Sequence, residues 1–98
     1  MTREELLLTQ LAEECCEVGK IVSKSLRFGL DDAHVDKPRT NRDRLVDEMI
    51  DVIALYKMLL RDRSIFDGGS DMVSNRISEK IEKVERYLDL SEQLGRLC

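Results

Sequence analysis

Residues 11–20, LAEECCEVGK, set Glu13, Glu14 and Glu17 within one turn of an otherwise apolar helical pattern. On a helical wheel of about 100° per residue with Glu14 at zero, Leu7, Leu11, Cys15, Val18, Ile21, Val22 and Leu26 share one arc. That arc runs from about 20° before Glu14 to about 120° after it, so Glu14 lies inside the edge of the apolar stripe. Glu17 falls about 60° to the other side, and Glu13 points toward solvent. A carboxylate on a core-facing edge is costly unless something compensates it, and a like charge at i+3 adds to the cost.

The stretch DRLVDEMIDVIALYKMLLRD, residues 43–62, repeats the arrangement. With Glu48 at zero, Leu45, Met49, Val52, Leu55, Tyr56, Leu59 and Leu60 occupy the same arc, and Asp51 takes the offset of Glu17. If the two helices pair antiparallel through their apolar faces, a two-fold axis perpendicular to both keeps equal offsets on one side. Glu14, Glu17, Glu48 and Asp51 then converge. Four carboxylates on two facing helices suit a hard, oxygen-seeking cation, and Mg²⁺ favours a few carboxylates combined with substrate phosphate oxygens. The competing reading pairs Glu14 and Glu48 with lysine or arginine across the helices.

A chain of 98 residues makes a single domain over residues 1–98, small enough that a monomer leaves much apolar surface uncovered. The expected architecture is all-α: a bundle of three main helices with short extra helical turns, completed by association into a homodimer or homotetramer. Twenty acidic residues against 16 basic ones give a net charge of -4, which argues against a nucleic-acid or membrane-surface binder. No stretch has the apolar length of a membrane span, and MTREE does not read as a signal peptide. Cys15, Cys16 and Cys98 have no metal-binding or redox spacing. Cys15 is expected in the core and Cys16 at the surface, which points to a reducing cytoplasm; Cys98 has no assigned role.

Along the chain, Thr2 and Glu5 form a capping box for a first helix that reaches Leu26 or Arg27 and stops at Gly29. The following loop holds His34 and Pro38, and the spacing allows a short helical turn over 31–35. Asn41 is the expected cap of a second helix ending near Arg63, and Ser70 or Asp71 that of a third helix over 72–90. The tail, with Leu94 and Leu97, allows another half-turn. No strand pattern is present. The third helix carries a narrow stripe of Val73, Ile77, Ile81, Val84 and Leu88, with Arg76, Lys80, Lys83 and Tyr87 on one side and Glu82 and Glu85 on the other.

Several chemistries lack their residues. No Glu-x-x-His pair supports a ferritin-like di-iron site, the cysteines have no companions for zinc, and His34 reads as a loop residue. Gly68 and Gly69 lack the Gly-Lys-Ser/Thr of a phosphate loop. Phe28 and Tyr56 are the aromatics nearest the acidic helices; Tyr56 reads as packing, and Phe28 is open to stacking on a base.

LAEECCEVGK and LVDEMIDVIALY resemble the paired EExxE and ExxD motifs of the all-alpha NTP pyrophosphohydrolase superfamily, the MazG-like proteins and their dUTPase and dCTPase relatives. SLRFGLDD, TNRDRLVDEMIDVIAL and KIEKVERYL are further similar to its short, single-domain, phage-type members, so the resemblance covers nearly the whole chain. It implies that Glu14, Glu17, Glu48 and Asp51 ligate Mg²⁺, or Mn²⁺, with Glu13 as an accessory acidic residue. It further implies hydrolysis of a (d)NTP to the monophosphate and pyrophosphate. Glu17 would orient the attacking water, Lys80 would stabilise the leaving group, and Lys80, Lys83, Arg76 and Phe28 would bind substrate. The interval between Glu17 and Glu48 is long for the motif, so residues 27–42 are expected to form a lid or selecting element. Two alternatives stand beside this one: a non-enzymatic helical module binding a nucleotide or a protein, and a phosphoribosyl-ATP pyrophosphohydrolase.

Overall fold

The computed structural model of the protein describes residues 1–33, 35–36 and 38–97. The expectations for His34 and Cys98 fall outside them. Among the described residues the chain is all-α: α1 (Arg3–Phe28), α2 (Asn41–Arg61) and α3 (Ser70–Gln93). It divides into two compact units, Met1–Ile65 and Phe66–Cys98. No helix among the described residues is long and apolar enough to cross a membrane.

The ends of α1 follow from local chemistry. Thr2 accepts a hydrogen bond from the Glu5 backbone N–H, and the Glu5 carboxylate accepts one from Thr2. At the other end Gly29 has φ 96°, a region open to glycine at little cost, and its N–H closes the last turn on the Ser25 carbonyl at 2.8 Å.

The N-terminus of α2 departs from expectation by one residue. Thr40, not Asn41, is the cap, with its hydroxyl accepting from the Asp43 N–H at 3.2 Å. Asn41 is thereby freed for a longer reach: its buried side-chain amide donates to the Gly29 carbonyl at 3.0 Å, tying the start of α2 to the end of α1. The backbone N–H groups of Asn41 and Arg42 bond the Asp32 and Leu30 carbonyls, both at 2.8 Å. The expected helical turn near 31–35 includes His34, which lies outside the described residues; the described part of this segment doubles back, with an isolated bridge between Ala33 and Thr40. At its far end α2 stops at Arg61, two residues early, and Arg63 takes a left-handed conformation (φ 61°) while Ser64 closes onto the Leu59 carbonyl at 2.9 Å.

Two fastenings show that α1 and α2 run antiparallel. Asn41 joins Gly29 at one end, and the Arg3 guanidinium bonds the Asp62 carboxylate at the other, holding that carboxyl below its usual range. Between them Leu7, Ile21 and Leu59 are buried, and Leu11, Val18, Leu45, Val52 and Leu55 are half-buried. All lie between about 20° before and 60° after the two glutamates on their wheels. At about 80–120°, Cys15, Val22, Leu26 and Met49 are exposed, while Tyr56 and Leu60 of α2 are half-buried. The apolar stripe is wider than the contact between two cylinders, so its far margin on α1 stays at the surface. This corrects the expectation for Cys15, which is an exposed thiol like Cys16. Tyr56 is half-buried, in keeping with a packing role.

In the second unit, α3 begins one residue before the expected caps. Its N-cap is Gly69 (φ 96°), with no side-chain cap; the Gly69 N–H instead donates to the Asp67 carboxylate at 2.9 Å. The helix absorbs the predicted half-turn, continuing to Gln93 before Gly95 turns the chain at positive φ.

Ile21 is wholly buried, so Ile21→Ala leaves a cavity and is expected to destabilise the fold by about 2–5 kcal/mol, seen as a lower urea midpoint at unchanged m. Asn41→Ala leaves the Gly29 carbonyl only its longer bond from the Asp32 N–H, at 3.4 Å, and is expected to cost about 1 kcal/mol, with amide exchange accelerated over residues 29–33 ahead of the helix centres.

Candidate metal centre

Glu14 and Glu48 occupy the zero position of their stripes, near the middle of the band through which α1 and α2 touch. Antiparallel packing therefore drives the two carboxyl groups together, and Asp51, one turn along α2, joins them. One oxygen of each lies within 4.8 Å of the others. Glu14 and Glu48 are half-buried and Asp51 is exposed. Glu17 is half-buried on the same side but is not a member of this three-oxygen group; its charge nonetheless acts on Glu48. Glu13 is exposed.

The electrostatics are uncompensated. The Glu48 carboxyl is held above its ordinary range, first by a hydrogen bond with Glu14, then by desolvation, then by the negative charges of Glu14, Asp51 and Glu17. The hydrogen bond between the two carboxyl groups favours the protonated form of Glu48. Among the described residues, the ion pairs of lysine and arginine go elsewhere: Arg3 and Arg61 to Asp62, Arg39 to Asp47, Arg42 to Asp31 and Arg76 to Glu79. None of these pairs joins Glu14 or Glu48 to a basic side chain across the helices.

The donor set fits a hard divalent cation. Mg–O bonds of about 2.0–2.1 Å place two oxygens on one ion about 3 Å apart when adjacent and about 4.2 Å when opposite. Three flexible carboxylates already within 4.8 Å of one another need to close by at most about 2 Å, which side-chain rotation supplies. Carboxylate oxygens without sulfur or imidazole suit Mg²⁺, Mn²⁺ or Ca²⁺ and not zinc.

The other expected site residues are placed as follows. Phe28 is exposed at the end of α1, with the Arg27 guanidinium 5.2 Å from its ring centroid. Arg76, Lys80 and Lys83 share one side of α3 with Arg86, but Glu79 and Glu82 line the same shallow depression, so this surface is mixed in charge. The sequence reading missed a hollow of about 320 Å³ lined by Pro38, Arg39, Arg44, Asp47 and Glu48, which opens on the first two turns of α2. Its signal was available in the i, i+3, i+4 spacing of Arg44, Asp47 and Glu48. A second, apolar hollow of about 300 Å³ is lined by Cys15, Val18, Met49, Val52 and Ile53, the uncovered margin of the two stripes.

Comparison with known proteins finds no family model, no curated protein and no solved structure that matches the chain.

A carboxyl whose pKa is raised on folding contributes stability that is full below its unfolded value, about 4.3, and is lost as pH rises through the folded value. Without metal, the Glu48 contribution therefore falls as pH rises above about 4.3 and through the raised folded value. Asp62, lowered on folding, contributes in the opposite sense, its share being lost as pH drops. Glu48→Gln removes the first effect and leaves the second. The variant is expected to melt higher than wild type at pH 7.5 in chelator, and the gap is expected to close toward pH 4.5 in thermal melts across that range.

Proposed function

We propose that the protein is a Mg²⁺-dependent nucleoside triphosphate pyrophosphohydrolase, converting a (d)NTP and water to the (d)NMP and pyrophosphate in the manner of the MazG-like proteins its motifs resemble. The observation that carries this reading is the meeting of Glu14, Glu48 and Asp51 across α1 and α2, with no ion pair from a basic side chain to them among the described residues and with the Glu48 carboxyl held above its ordinary range. A folded chain places like charges together at a cost, and a bound cation turns that cost into affinity.

In this reading Glu14, Glu48 and Asp51 hold the metal, and Glu17, beside them on α1, completes the set or orients the attacking water. When bound, Mg²⁺ supplies Lewis acidity at phosphate oxygens and lowers the pKa of a coordinated water. Lys80, Lys83 and Arg76 have the role of neutralising charge on pyrophosphate, and Phe28 that of stacking on the base. Association into a homodimer or homotetramer, cytoplasmic residence and a part in clearing the nucleotide pool belong to the same proposal.

The second reading, a non-enzymatic helical binding module, is favoured by the apolar hollow at Cys15, Val18, Met49, Val52 and Ile53. Mg²⁺ separates the two, because a docking module gains no thermal stability from it, whereas a metal enzyme does.

The decisive assay is pyrophosphate release from a panel of NTPs and dNTPs, with Mg²⁺ and with excess chelator. Chelator-sensitive release of pyrophosphate and a monophosphate is expected, and Glu48→Gln and Glu14→Gln are each expected to lower kcat/KM by at least about 100-fold with helicity retained. Folded wild-type protein that releases pyrophosphate from no nucleotide, or Glu48→Gln at full activity, overturns the assignment.

A further inference from the structure

Apart from Glu48, the hollow beside the carboxylate group is built by residues to which the motif gives no role. It is lined by Pro38, Arg39, Arg44, Asp47 and Glu48, and Glu48 is also a member of the three-oxygen group. A ligand bound to a cation at Glu48 would therefore adjoin a space that Arg39 and Arg44 help to line. We propose that this hollow is the phosphate subsite of the protein: Arg39 and Arg44 bind a phosphate of a cation-chelated polyphosphate, and Asp47 occupies Arg39 until that phosphate arrives. The inference rests on the metal reading above and adds to it.

Three observations point the same way. The start of α2 cannot serve as the anion site, since its first four N–H groups are taken: Asn41 by Asp32, Arg42 by Leu30, and Asp43 and Arg44 by Thr40. Side chains must do the work instead. Arg39 is bonded to Asp47 at 2.9 Å, and both side chains are about half exposed (55% and 52%), so the pair is weak in water and exchanges readily. A phosphate offers the same planar oxygen pair with more charge, and a guanidinium prefers it. Finally, two guanidinium groups against the carboxylates of Asp47 and Glu48 leave the ionised hollow near neutral. A divalent cation shared by Glu14, Glu48 and Asp51 adds two positive charges beside it. The anion is thus held more tightly with the metal than without it, and the Arg39–Asp47 pair keeps the empty hollow from collecting stray anions.

Inorganic pyrophosphate titrated calorimetrically into the full-length chain, in saturating Mg²⁺ and again in EDTA, tests this. Arg39→Ala and Arg44→Ala are each expected to weaken pyrophosphate binding by about tenfold or more while Mg²⁺ affinity stays within about twofold. Asp47→Asn, which releases Arg39, is expected to tighten it about two- to fivefold, a gain that a merely structural role for Asp47 does not produce. Binding in EDTA is expected to be at least about tenfold weaker than in Mg²⁺. Arg39 is exposed on the loop, so its removal leaves the helix packing intact even if Arg44→Ala lowers stability. Wild-type affinity for pyrophosphate in both arginine variants, alongside its loss in Glu48→Gln, overturns the subsite and leaves the metal reading standing. A wild-type protein that binds neither Mg²⁺ nor pyrophosphate overturns both.

Discussion

The contact between Glu14 and Glu48 is the constraint on which the first unit turns. Each lies at the centre of the face its helix presents to the other, where an apolar pair would pack at no electrostatic cost. With both ionised, two charges a few ångströms apart and partly removed from water repel strongly, which favours the protonated form of Glu48. Arg39 and Arg42, near the start of α2, are engaged by Asp47 and Asp31. In the metal reading proposed above, a bound cation would offset this repulsion and so stabilise the fold.

That cost is bearable because the two ends of the hairpin are fastened independently of its middle. Asn41 crosses to Gly29 and two backbone N–H groups bond the loop behind it, while Arg3 and Asp62 close the other end. Ile21 and Leu59 are buried on either side of the acidic turn. With its ends held, the helix pair fixes the spacing of the central carboxylates to within the span of one ion, an instance of strain at a site being carried by structure elsewhere. Leu30 and Asp32 bond the start of α2, so the loop that reaches Pro38 and Arg39 is anchored where it passes the site.

How much of this could be read in advance depended on whether the governing interaction was local. Thr2 and Glu5 specify a helix start within four residues, and Gly29 a stop, so α1 was legible nearly to its ends. The meeting of Glu14 with Glu48 and Asp51 was legible as well, because helical geometry converts equal wheel offsets into proximity once antiparallel pairing is assumed. Thr40 and Asn41 were not separable in sequence, since either can cap; only the long-range bond from Asn41 to Gly29 decides between them. Cys15 was misplaced for a related reason. An apolar stripe says which face avoids water, whereas the width actually covered depends on how many partners the helix has, and one partner does not reach 100°. The hollow at Arg39 was hidden because it combines a loop residue with the first turns of α2, a juxtaposition that depends on the path of the loop.

The uncovered margin and the acidic centre lie on the same two helices, and this links stability to chemistry. Cys15, Met49 and Ile53 border the apolar hollow, and Val18 and Val52, which line it, also stand between it and the carboxylates. On their wheels Val18 and Val52 both lie at about 40°, between Glu14 and Glu48 at zero and Cys15 and Met49 at 100°. Val18 and Val52 thus separate the apolar hollow from the carboxylates. Covering the hollow would exclude water from that flank, and in a drier setting the repulsion among Glu14, Glu48 and Asp51 grows. In the metal reading proposed above, the attraction of the set for a cation would grow with it, so that burial alone would couple the two sites.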